Sequence, residues 1–154
     1  MTFYYRFAVL MGLRQRERDE AGVAVGQANQ AIAKIDAERE SVLAERAQIR
    51  QQRPSAGAGK ISVDSLLSSG RYDLQLEADA ISLLQTRQKL VVERDHRQQR
   101  LIEAEAELKR YQKMEQKERA EYDALQLRLQ QIEADDATSR KYTRLIQQTH
   151  RSKD

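Results

Sequence analysis

The sequence contains no cysteine, one proline (Pro54) and six glycines in 154 residues. Without cysteine there can be no disulfide and no thiolate metal site, and nothing points to an oxidising compartment. Aromatic residues make up only 5% of the chain. Large apolar side chains are therefore too few to fill the middle of a layered globule, although there are enough for a narrow seam. No apolar run approaches the ~20 residues that a membrane span needs. The opening from Phe3 to Leu13 is faintly like a signal peptide, but it lacks a basic leading segment and carries Arg6 inside the run. It passes directly into Arg14-Gln15-Arg16-Glu17-Arg18 with no small-residue cleavage pair. It reads as the amphipathic start of a helix in a cytoplasmic protein.

What is present is charge, at 33% of residues, set among Ala, Glu, Gln, Arg and Leu. This is the composition of long helices and coiled coils. The net charge is +3, with the signs closely interleaved, as in Glu17-Arg18-Asp19-Glu20 and Glu115-Gln116-Lys117-Glu118-Arg119. Interleaving of this kind marks a solvated helix face, so a nucleic-acid partner is not expected. The exception is the last fifteen residues, where Arg140, Lys141, Arg144, Arg151 and Lys153 face only Asp154. Such a tail suits an acidic partner, a phospholipid surface or nucleic acid, and equally a merely solvated end.

Hydrophobic spacing divides the chain into two arms within a single coiled-coil unit spanning 1–154. A first helix is expected over 2–52. Phe7, Ala21, Ala28, Ile35, Val42 and Ile49 share a seven-residue phase that Arg14 breaks. The small residues of Ala21-Gly22-Val23-Ala24-Val25-Gly26 would let another helix approach closely. Residues 53–71 read as a connecting loop: Pro54 and two glycines come first, then a short helical turn closed by Gly70. A second helix is expected over 72–148, followed by a basic tail over 149–154. Its stripe opens with Leu74, Leu76, Ile81, Leu84, Leu90 and Val91 and is interrupted at Glu93–Arg100. It resumes through Leu101, Leu108, Tyr111, Tyr122, Leu125, Leu129 and Ile132. Two stripes and one short break predict an all-α fold, a long antiparallel two-helix coiled-coil hairpin. If the reversal centres near residue 61 or 62, residue i faces roughly residue 123 − i. The second arm beyond about Glu121 then overhangs. Its stripe either meets another molecule or is covered internally by a bend or a later reversal.

Motifs that could carry chemistry fall short. Gly57-Ala58-Gly59-Lys60 ends like a phosphate-binding loop, but Pro54 and Ile61 occupy positions where that motif needs Gly and Ser or Thr. Glu93-Arg94-Asp95-His96 has di-iron spacing but no second copy, His150 being the only other histidine. No nucleophile–base set assembles, so the chain is not expected to be an enzyme or to use a cofactor or metal.

The opening Phe3-Tyr4-Tyr5-Arg6-Phe7-Ala8-Val9-Leu10-Met11-Gly12-Leu13-Arg14, with Glu17, Glu20 and Ala21, resembles the start of the flagellar export protein FliJ family. Glu107-Leu108-Lys109-Arg110-Tyr111-Gln112-Lys113-Met114, with Lys117, Arg119 and Tyr122, resembles that family's second arm, and Glu133 and Asp136 its acidic close. The resemblance implies a component of the flagellar type III export apparatus, acting as central stalk of a hexameric export ATPase and as a chaperone escort. Its implied partners are that ATPase, the export gate membrane protein and export chaperones, with the chain peripheral to the membrane through them. Phe3, Tyr5, Arg6, Phe7, Leu10 and Arg14, with Tyr122, Leu125 and Leu129, are expected at the ATPase-facing end. Leu76, Ile81, Leu84 and His96 are expected on a gate- or chaperone-facing surface. The other readings are a generic coiled-coil scaffold or homodimer, and the equivalent rod of an injectisome.

Overall fold

The computed structural model describes residues 2–52 and 62–151, with side chains as far as residue 148. The expected reversal at Pro54, the glycine-rich stretch 57–60 and the side chains of the 149–154 tail lie outside the described residues. Two helices account for nearly everything described: α1, Ala8–Gln52, and α2, Val63–Arg151. No strand occurs among the described residues. Neither helix contains proline, and both are built from strong helix formers.

Both helices start away from the expected positions. Helix α1 begins at Ala8 and not at Thr2, because the segment before it is held by side-chain burial instead of helical hydrogen bonds. Tyr5 is only 4% exposed, and its carbonyl accepts from the Ala8 amide at 3.2 Å. Helix α2 begins at Val63, so the segment expected to be a separate short turn ending at Gly70 belongs to one continuous helix. A glycine inside a helix costs only about 1 kcal/mol relative to alanine, and anchors on either side outweigh it. Ser62 offers its carbonyl to the Leu66 amide, Asp64 lies in the first turn where the helix dipole favours an anion, and Asp73 is tied to α1 one turn after Gly70.

The chain divides into two compact units, and each helix contributes to both. One is Gln15–Glu105. Its core is Val25, Ala28 and Ile32 of α1 with Leu76 and Ala80 of α2, where alanine facing larger residues permits a close helix–helix approach. The helices run antiparallel. Ala24 meets Arg97, Asp36 meets Arg87, and Arg46 meets Glu77. The last two pairs, and Arg50 with Asp73, fall on the 123 − i register. The other unit is Met1–Arg14 with Ala106–Asp154, and among its described residues Tyr5 and Leu108 are buried.

Two polar features hold the seam of the Gln15–Glu105 unit. Asp73, nearly buried, accepts hydrogen bonds from Arg46 Nε (3.0 Å) and from Arg50 Nε and Nη2 (3.1 and 3.3 Å). Arg46 also reaches Glu77 at 2.7 Å. The second feature lies in the stretch 93–100, where the apolar stripe was expected to be interrupted. Arg97 lies across the seam there and donates to the backbone carbonyl of Ala24 at 2.9 Å, while its Nε holds Glu93. Ala21 and Ala24 leave the room that this guanidinium needs. The small segment of one arm thus sits opposite the polar segment of the other. Glu93 is engaged by Arg97, which pulls its carboxyl below the usual range, and His96 points to solvent.

Candidate partner-binding surface

The Met1–Arg14 and Ala106–Asp154 unit is assembled around the segment that precedes α1. Tyr5 buries its ring and donates its hydroxyl to the Tyr111 carbonyl of α2 at 3.0 Å. Its phenol is pushed above the ordinary tyrosine value, first by burial and then by the nearby Glu118 and Glu115 carboxylates, so it stays a donor through the physiological range. Phe7 lies edge-on to both Tyr5 and Tyr111, with ring centroids 5.8 and 6.4 Å apart. Phe3 reaches further along α2 to pack at a tilt against Tyr122, ring centroids 5.6 Å apart. Arg6 covers the Phe7 ring at 4.6 Å and bridges to Glu118 at 3.3 Å. Arg119 approaches the Phe3 ring. Residues 3–7 form a strap along α2 from Tyr111 to Tyr122, held by aromatic edges and one buried hydroxyl.

Beyond the strap the helix is exposed to solvent. From Asp123 to residue 148 every described residue except Gln126 is exposed. On this stretch Leu125 is 54%, Leu129 45% and Ile132 57% exposed, at the three-and-four spacing of one helix face. In the same unit Leu10 and Leu13 are also exposed. The arrangement has the character of an interaction surface: an apolar row with charged flanks and no enclosing walls.

The residues singled out from sequence separate into two groups. Phe3, Tyr5, Arg6, Phe7 and Tyr122 come together, but as mutual contacts inside the unit. Tyr122 was expected at the start of the overhang and instead packs on Phe3, so the open stretch begins after it. Arg14 is half-buried in the α1 face, while Leu10, Leu125 and Leu129 face solvent. On the Gln15–Glu105 unit Ile81, Leu84 and His96 are exposed. Leu76, placed by the sequence on a partner-facing surface, is instead a core residue with 4% exposure. The 123 − i register carries the signal for this, since it sets Leu76 opposite the Arg46 region of α1. The strap itself was missed, because helical spacing runs unbroken through Phe3, Phe7 and Leu10 and hides a non-helical lead.

The family model for the flagellar FliJ protein matches residues 3–145 of the 154. The chain belongs to the FliJ family. FliJ-family membership implies a component of the flagellar export apparatus. No curated protein and no solved structure matches it. No helix among the described residues is long and apolar enough to cross a membrane.

Proposed function

We propose that this FliJ-family chain serves as the central stalk of the flagellar export ATPase and as an escort for export chaperones. It works in the cytoplasm at the inner face of the cell membrane, held there by its partners: the hexameric ATPase, the export gate membrane protein and the chaperones. The observation that carries this reading is the exposed row Leu125, Leu129 and Ile132 in the same unit as exposed Leu10. An apolar helix row left in water is stabilised by whatever covers it, at roughly 25 cal/mol per Å² removed from solvent. The charged flanks, with Arg128, Glu133 and Arg140 all exposed, supply rim contacts that steer an encounter more than they tighten it. The strap, meanwhile, fixes the α1 end against α2, so that Leu10 and Leu13 are presented on a defined backbone. Ile81, Leu84 and His96 are assigned to the gate or the chaperones, and Leu76 serves packing.

The test is the hydrolysis rate of the cognate export ATPase with and without this chain. Addition is expected to raise the rate. Leu125→Ala with Leu129→Ala is expected to remove most of that stimulation while leaving helix content, read by circular dichroism, unchanged. Full stimulation by the double variant sinks the surface assignment, and no stimulation by the unaltered chain sinks the stalk reading.

A further inference from the structure

The bare stretch of α2 carries a charge order that its apolar row does not explain. Glu133, Asp135 and Asp136 form an acidic block, and Arg140, Lys141 and Arg144 a basic block directly after it. All six are exposed. Continuing the three-and-four spacing of Leu125, Leu129 and Ile132 brings Asp136, Ser139, Thr143 and Ile146 onto the same face. The face is therefore apolar towards its ends and polar in its middle, and the polar middle coincides with the switch of sign.

We infer that residues 123–148 of α2 pair antiparallel with the same segment of a second copy of the chain. A two-fold axis between residues 137 and 138 sets residue i near residue 275 − i of the other copy. Leu129 then packs near Ile146, Ile132 near Thr143, and the acidic block lies along the basic block, each contact occurring twice as a two-fold interface demands. Asp136 decides the orientation. Parallel, in-register pairing brings the two Asp136 carboxylates together in the seam. Antiparallel pairing sets each Asp136 against Ser139 and beside Arg140 of the other copy. Flanking ion pairs form in either orientation and contribute little at an exposed rim, whereas two carboxylates meeting in the seam oppose association directly. A polar layer in the middle of a coiled-coil face fixes register at a cost in affinity, so the pair is weak and reversible. The stretch overlaps the proposed ATPase contact, but the pairing does not rest on that reading, and it is measured with no ATPase present.

Sedimentation of the full chain at low salt tests it. We expect a monomer–dimer equilibrium half-complete by about 100 µM, in the range of transient contacts, and weakened by added salt because the flanking charges are screened. Glu133→Lys/Asp135→Lys/Asp136→Lys and Arg140→Glu/Lys141→Glu/Arg144→Glu, each checked for helix content, should each self-associate at least about tenfold more weakly (the tenfold step of). Mixed one to one, they should associate again. The chain has no native cysteine, so single cysteines report orientation through a short bismaleimide. Ser139→Cys should cross-link to itself. Gln126→Cys should not, because antiparallel pairing holds its two copies ~35 Å apart. A chain that stays monomeric throughout the concentration series overturns the inference. So does cross-linking of both cysteines, which would report parallel pairing, or a mixture of the two charge variants that fails to associate.

Discussion

Asp73 shows how much a single polar residue can fix in a seam this thin. Its carboxyl is held below the ordinary aspartate value first by the hydrogen bonds from Arg50 and then by that from Arg46, with burial working the other way. A depressed folded value means that this contribution to stability is fully present above the unfolded aspartate value of about 4 and is lost as pH falls through the lower, folded value. Thermal melts followed by circular dichroism should therefore show a midpoint that drops on acidification below about pH 4. Asp73→Asn should lower the midpoint at neutral pH and flatten part of that acid drop; an equally steep drop in the variant would assign it to other carboxylates. The glycines of α1 call for the opposite kind of substitution. A methyl group at Gly12, Gly22 or Gly26 would meet nothing within 4 Å, so these residues are not there to let α2 approach, contrary to what the small-residue run Ala21–Gly26 suggests. Alanine at Gly12 and Gly26 should stabilise the chain by about 1 kcal/mol each in urea unfolding. A loss of stability would show that the open space beside them is spoken for.

At the scale of the helices, the seven-residue phase was legible because a two-helix seam has only one way to bury a stripe. Ala28, Ile35, Val42 and Ile49 all face inward, and Ile32 joins Val25 and Ala28 in the core. Ile32→Ala should cost about 2–5 kcal/mol, towards the lower end because the flanks of the seam stay open and can relax. A change under about 0.5 kcal/mol, the size of an ordinary surface substitution, would mean that the face is not a core. Less legible was the stretch 93–100, where apolar counting sees only a gap. Arg94 and Arg97 occupy seam positions with their aliphatic stems, and Arg97 finds a carbonyl that only a small-residue segment leaves within reach. The helix starts were illegible for different reasons. At Val63 a tolerable glycine looked like a stop. Before Ala8, helical spacing concealed a strap whose conformation is set by the tertiary burial of Tyr5. Removing that anchor by Tyr5→Ala should lower the thermal midpoint and reduce the near-ultraviolet signal of Phe3, Phe7 and Tyr111 packing. Unchanged spectra would mean that the aromatic edges hold the strap without it.

For the molecule as a whole, family and fold were both readable from the opening dozen residues and the paired stripes, whereas the division of labour along α2 was not. The seven-residue phase runs from Leu108 through Ile132, with Glu115 and Glu118 in two of its positions between Tyr111 and Tyr122. Only the structure separates the part covered by the strap, ending at Tyr122, from the bare part that follows. A solvent-exposed stretch of helix opens more readily than one packed on a partner, so residues 123–148 should exchange their amide hydrogens fastest of any stretch of α2 in the free chain. The most direct measurement is hydrogen exchange of the full chain, alone and with the export ATPase. Residues 123–148 are expected to gain protection with the ATPase while most of 15–105 stays unchanged. Protection gained within 15–105, with 123–148 exchanging as fast as before, would contradict the assignment of the bare end of α2 as the partner-binding surface.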